Sequence, residues 1–164
     1  MFLEYVTRYG NSENVISCFS IMEFLQGGTL VKKNGCEVSA DEALKNKDII
    51  GFYFSAHWCP PCRGFTPVLA DMYSELVDEG APFEIIFVSS DRSADDMFQY
   101  MMESHGDWLA IPFQSGASSN VKAKYNITGI PALVIVKKDG TLISKNGRGE
   151  VQSLGPRAFQ NWSR

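Results

Sequence analysis

The run Ile49-Ile50-Gly51-Phe52-Tyr53-Phe54 constrains this chain more than any other feature. Its apolar residues are nearly continuous and do not alternate with polar ones, which predicts a strand buried on both faces. The same character returns at Phe83-Glu84-Ile85-Ile86-Phe87-Val88 and at Ala132-Leu133-Val134-Ile135-Val136. The last of these and Thr141-Leu142-Ile143-Ser144 flank Lys138-Asp139-Gly140, the pattern of an antiparallel hairpin.

Helical spacing fills the gaps. Phe65, Val68, Leu69, Met72, Leu76 and Val77 line one side of a helix that Gly80 ends, with Pro67 inside it as an expected kink. Ser93 with Asp96 starts a second helix running to about His105. A short helix ends over residues 121–125, and a last one has Pro156 near its start, followed by Phe159 and Trp162. Strands joined through helices run parallel by right-handed crossover, and the hairpin adds an antiparallel edge. The expected fold class is therefore α/β, a mixed central sheet flanked by helices on both faces.

Upstream, the stripe Val15, Phe19, Met22 and Leu25 predicts an N-terminal helix between Asn11-Ser12 and Gly27-Gly28. Thr29–Lys33 and Cys36–Val38, joined by Asn34-Gly35, read as a β-hairpin extension, and Ser39 with Glu42 caps one brief helix. Residues 1–28 are thus expected to be a helical extension and 29–164 the main domain.

With 164 residues, 45% of them hydrophobic, the chain can build a packed core without disulfides or metal. A formal charge of −4 makes nucleic acid a poor partner, because phosphate neutralisation needs a basic face. No stretch approaches the ~18 consecutive apolar residues of a membrane helix. The segment Met1 to Gly10 lacks a basic region followed by an apolar run, so no secretory signal is expected. The four cysteines, Cys18, Cys36, Cys59 and Cys62, then read as reduced thiols plus one C-x-x-C redox motif, which points to the cytoplasm or nucleus.

That motif, Trp58-Cys59-Pro60-Pro61-Cys62, falls between a buried strand and a long helix. Reactive groups of α/β sheets gather at the carboxyl ends of strands. The N–H groups and partial positive charge of a helix start favour a thiolate, the form that attacks a disulfide. Cys59, at the mouth of the helix, is the expected attacking residue, and Cys62, one turn inside, the resolving one. Pro60 and Pro61 fix φ where a first turn needs no donors, so they stiffen the turn.

A zinc site would need four ligands. Only His57 and His105 exist as histidines, and Cys18 and Cys36 do not pair at ligand spacing, so no metal is expected. Ile130-Pro131, just ahead of a strand, is either a permitted strand-start proline or a cis-proline loop facing the cysteines. The second alternative is preferred, with backbone that would pair with an extended substrate.

The segment from Phe52 through Trp58-Cys59-Pro60-Pro61-Cys62 to Pro67 resembles the nucleoredoxin and tryparedoxin branch of the thioredoxin superfamily. Val88-Ser89-Ser90-Asp91-Arg92, Trp108 to Phe113 and Ile130-Pro131 are similar to that branch too, and the resemblance extends over about Thr29 to Phe159. It implies a thioredoxin fold and a small dithiol carrier that reduces protein disulfides. Cys59 and Cys62 would be the redox pair, Trp58 its flank and Pro131 the cis-proline. Recharging would come from an electron-donating reductase or a low-molecular-weight thiol, and no cofactor is expected. Two departures stand out. Classical thioredoxins carry a buried aspartate six residues before the first cysteine, where this chain has Tyr53, and residues 1–28 have no clear counterpart.

Other residues keep open readings. His57 either steadies the thiolate or is an exposed loop residue, the latter preferred. Arg63 tunes the site or is merely solvated, and Trp58 is a substrate platform or a lid. Trp108, Phe113 and Tyr125 are expected in the core, and Cys18 on the apolar stripe. Cys36 is expected to be partly exposed. Asp91 and Arg92 contact substrate or form a solvated helix start and surface ion pair. Three activities compete: a protein-disulfide reductase, a redox-controlled protein-binding module of the nucleoredoxin kind, and an exported oxidase using the same Trp-Cys-Pro-Pro-Cys.

Overall fold

The computed structural model describes residues 25–164. The N-terminal helix and Cys18 of the sequence reading lie outside the described residues, except for Leu25, which packs into the core. In chain order the elements are β1 (Thr29–Val31), β2 (Glu37–Ser39), α1 (Ala40–Leu44), β3 (Ile49–Ser55), α2 (Pro60–Asp78), β4 (Phe83–Ser89) and α3 (Ala94–Ser104). Then follow β5 (Leu109–Ala110), α4 (Gly116–Lys124), β6 (Ala132–Lys137), β7 (Leu142–Ser144), α5 (Gly147–Leu154), a 3-10 turn (Gly155–Arg157) and α6 (Ala158–Trp162).

The strands form one seven-stranded sheet ordered β2-β1-β5-β4-β3-β6-β7. β3 lies parallel to β4 and antiparallel to β6, with Phe52 opposite Ile86 on one side and Val134 on the other. The mixed sheet and its helices are the expected α/β thioredoxin fold.

Side-chain alternation divides the core. Ile49 and Tyr53 of β3, Ile85 and Phe87 of β4, and Leu133 and Ile135 of β6 face α2, α3, α5 and α6. Ile50, Phe52 and Phe54, with Ile86, Val88, Val134 and Val136, face the other way and pack with α1 and α4. Trp108 and Tyr125 are buried, and Phe113 packs against the first of these clusters.

Local signals account for most of the helix starts. The Ser39 and Ser93 hydroxyls accept the N–H groups of Glu42 and Asp96, capping α1 and α3. α2 runs unbroken through Pro67. Its buried stripe is Cys62, Phe65, Thr66, Leu69, Met72, Tyr73 and Leu76. Val68 and Val77, expected on that stripe, are exposed instead, because they sit at its flanks where the helix turns away from the sheet.

Two elements depart from the sequence reading. The last helix has Pro156 at its start as expected, in the 3-10 turn that runs into α6, but α5, absent from the sequence reading, precedes it and is capped by Gly155, whose φ of 57° suits glycine. β5 is a two-residue strand pairing with Ile86 and Phe87 and, through Ala110, with Val31. That last contact splices the β1–β2 hairpin into the main sheet.

Candidate active site

Because β3 lies between β4 and β6, three segments converge where β3 ends. Ser55 pairs with Ser89 of β4, and Phe54 with Ala132 of β6. The loop after β4 and the turn before β6 therefore flank the outgoing chain Ala56-His57-Trp58-Cys59, which enters α2 at Pro60.

Cys59 is the N-cap residue of α2, in an extended conformation and without a side-chain cap. Pro60 and Pro61 take the first helical positions, and the Arg63 N–H closes the first turn on the Cys59 carbonyl at 3.1 Å. Cys59 and Cys62 are joined as a disulfide with Cα atoms 5.2 Å apart. Cys59 retains 5% exposure and Cys62 none, so an approaching partner meets Cys59 first. The cap position also sets the Cys59 sulfur at the positive end of a 19-residue helix, where an anion is stabilised. The Ile130–Pro131 bond is cis, and the Ile130 carbonyl oxygen lies 3.8 Å from Cys59 Sγ.

Trp58 is half exposed, and its indole N–H donates to the Ser90 carbonyl at 3.0 Å. The Arg92 guanidinium carbon sits 5.8 Å from the Trp58 ring centre. Arg63 is exposed one position beyond Cys62.

For two residues the structure removes one of the alternatives left by the sequence. His57 is not a free loop residue, since it stacks on Tyr100 with ring centres 5.2 Å apart and its Nε2 meets Glu103 Oε2 at 3.0 Å. Asp91 is buried, not a solvated helix start. Its carboxylate accepts the His57 backbone N–H and the Ser89 hydroxyl, each at 2.7 Å, while the Asp91 N–H donates back to Ser89 Oγ at 2.9 Å. Beside it, Lys122 Nζ donates to the Ser89 carbonyl at 2.9 Å. Burial lowers the Lys122 pKa, and the Asp91 charge opposes that shift. The signal for Asp91 was present in the sequence as Ser89-x-Asp91 at the carboxyl end of the strand beside the motif.

Beneath Cys62 lies a cluster of hydroxyls. Tyr53 OH and Thr66 Oγ1 are 2.6 Å apart, Thr66 Oγ1 also meets Tyr100 OH, and Tyr100 OH is 2.8 Å from Ser55 Oγ. Thr66 Oγ1 lies 2.9 Å from the Cys62 carbonyl, within donating distance. Burial holds the Tyr53 phenol far above its ordinary pKa, so it stays neutral.

A thioredoxin-like family model matches residues 46–142, which include the motif and the cis-proline. Nucleoredoxin from Bos taurus is 43% identical over 125 residues, 76% of this chain and 28% of that protein. The chain belongs to the thioredoxin superfamily, in its nucleoredoxin and tryparedoxin branch. It spans little more than a quarter of the length of that nucleoredoxin. Among solved structures, thioredoxin related protein 16 of Carcinoscorpius rotundicauda is 87% identical, with a TM-score of 0.77 over 87% of this chain and all of that one. Its NMR structure was described together with a role in regulating the transcription factor NF-kB. Tryparedoxin from Trypanosoma brucei is 35% identical, with a TM-score of 0.73 over 87% of this chain and 97% of its own.

As a member of a thiol–disulfide oxidoreductase family, this chain carries its cysteine pair at the strand–helix junction, with Tyr53 in place of the buried aspartate of classical thioredoxins. Cys36, the other described cysteine, is exposed and free. No helix among the described residues is long and apolar enough to cross a membrane.

Proposed function

We propose that this chain reduces protein disulfides through Cys59 and Cys62. The observation that carries the proposal is the pairing of an N-cap cysteine that keeps a small exposed surface with a fully buried one a turn behind. The Cys59 thiolate attacks one sulfur of the substrate disulfide, forming a mixed disulfide and releasing the first substrate thiolate, which takes up a proton. Cys62 loses its proton to solvent and attacks Cys59 Sγ. The second substrate thiol leaves, and the protein is left with the Cys59–Cys62 disulfide seen here. Two electrons have passed to the substrate. An electron-donating reductase or a low-molecular-weight thiol restores the dithiol.

Trp58, Pro60 and Pro61 shape the approach to Cys59, and the Ile130–Pro131 backbone aligns an extended substrate beside it. Residues 29–164 act as the exchange domain and 1–28 as an extension to it. Protein substrates in the cytoplasm or nucleus fit this chemistry, since thiols there are kept reduced.

Insulin reduction tests the proposal: wild-type protein turns over and Cys59→Ser does not, whereas a wild-type protein without turnover contradicts it. A redox-controlled binding module is the second reading. It is favoured by the role described for the Carcinoscorpius relative in regulating a transcription factor. A Cys62→Ser trap separates the two, with many mixed disulfides expected of a general reductase and one dominant partner of a binder.

A further inference from the structure

We propose that Arg92, held over Trp58, together with Arg63, makes the rim of the cysteine site a reader of carboxylates. It would select disulfides whose cysteine is flanked by acidic residues in an extended peptide. The inference rests on the exchange activity proposed above and names its substrate class.

The chain carries a net charge of −4, yet one arginine, Arg92, lies over Trp58 of the motif and another, Arg63, directly follows Cys62. Arg92 and Arg63 are both exposed, and neither forms an ion pair among the described residues. Asp95 and Asp96 follow Arg92 closely but serve the first turn of α3 and do not pair with it. The first turn of α2, which carries Arg63, contains no acid. The two carboxylates that contact the motif loop at His57 are already engaged. Asp91 is buried and holds the His57 and Ser89 groups, and Glu103 meets His57.

The Arg92 guanidinium lies within the ~6 Å range at which an aromatic face holds a cation. Trp58 is itself anchored by its indole N–H to the Ser90 carbonyl, so its face, not its N–H, is what the rim offers. A guanidinium steadied on a ring keeps its fork of donors free, and that fork matches a carboxylate in two parallel hydrogen bonds. The overall negative charge does not cancel this, because salt screens charges beyond about 8 Å at physiological ionic strength. An acidic partner therefore meets the rim's field at contact. The backbone of the cis Ile130–Pro131 turn, 3.8 Å from Cys59 Sγ, favours a peptide strand over a small anion as the occupant.

The test uses the reduced full chain and three homodimeric disulfides of capped tripeptides, Glu-Cys-Glu, Gln-Cys-Gln and Lys-Cys-Lys. Second-order rate constants are each divided by the rate of the same peptide with dithiothreitol, which removes the effect of the flanks on the peptide sulfur itself. The expected acidic-to-basic ratio is roughly tenfold at low salt and shrinks as salt is added. Arg92→Glu brings it below one, and Arg92→Lys keeps it above one but below wild type. A wild-type ratio near one, or a ratio that Arg92→Glu leaves unchanged, overturns the inference. Exchange with none of the three peptides overturns the reductase reading and this inference with it.

Discussion

Asp91 Oδ1 accepts the backbone N–H of His57 at 2.7 Å, tying the loop that carries Trp58 and Cys59 to the end of the neighbouring strand β4. Removing that carboxylate strands the His57 N–H and the Ser89 hydroxyl and takes a compensating charge from Lys122. Asp91→Ala is expected to lose about 1–3 kcal/mol of stability in urea denaturation, and Asp91→Asn, which keeps an acceptor, about half as much. Insulin reduction should slow in the same order, because the loop no longer holds Cys59 in one place.

Thr66 is the hub of the hydroxyl cluster under Cys62, touching Tyr53, Tyr100 and the Cys62 carbonyl. Thr66→Val leaves the buried Tyr53 hydroxyl without that partner and should cost about 1–3 kcal/mol. Tyr53→Phe removes one member and leaves Thr66 paired with Tyr100, so its cost should be about 1 kcal/mol. Thermal melting of the two variants checks the order, with the lower Tm expected for Thr66→Val.

His105 gives the fold an acid-sensitive element. The Trp108 indole donates to its Nδ1 at 3.0 Å, so Nε2 carries the ring proton, and Nε2 finds no partner among the described residues. Burial first, then the Lys33 and His57 charges, lower its pKa to about 3. Between roughly pH 6.5 and 3 the unfolded chain binds a proton that the folded one refuses, so stability falls with falling pH by up to about 1.4 kcal/mol per unit. Glu84, whose pKa burial raises, acts in the opposite sense, since its folded form takes a proton first as pH falls. The difference between wild type and His105→Gln isolates the histidine. Denaturation midpoints of the variant should depend less steeply on pH across that window.

Two glycines should respond oppositely to alanine. A Cβ on Gly147, at the start of α5, would stand 2.7 Å from the Leu133 carbonyl oxygen and 2.9 Å from Leu133 Cγ, so helix and strand must part. Gly147→Ala is expected to lose about 1–3 kcal/mol. A Cβ on Gly64 of α2 meets nothing within 4 Å, and Gly64→Ala should gain about 0.5–1 kcal/mol from helix propensity. Chemical denaturation of both variants decides the signs.

Elements whose structure is set by their own side chains were legible in the sequence. β3 and β4 declared themselves by nearly continuous apolar runs, and α3 by Ser93 capping the Asp96 N–H. Elements set by distant partners were not. β5 is two residues long and exists because Leu109 and Ala110 find Ile86, Phe87 and Val31. α5 was hidden by its glycines, since Gly147 and Gly149 lower helix propensity while tight packing on β6 supplies the reason for the first. In the site, the cysteines and Ile130-Pro131 stand out as motif residues, whereas Asp91 and His57 take their meaning from each other across 34 positions. An acid after a strand reads as a solvated loop until the neighbouring chain is in place.

The central claim is that Cys59 is poised as an anion at the start of α2, and alkylation of the reduced protein tests it most directly. Exposed Cys36 supplies an ordinary thiol in the same molecule as reference. With limiting iodoacetamide at pH 6, peptide mass spectrometry should find Cys59 modified at least about tenfold faster than Cys36 despite its lower exposure. Equal rates, or a slower Cys59, would contradict the account.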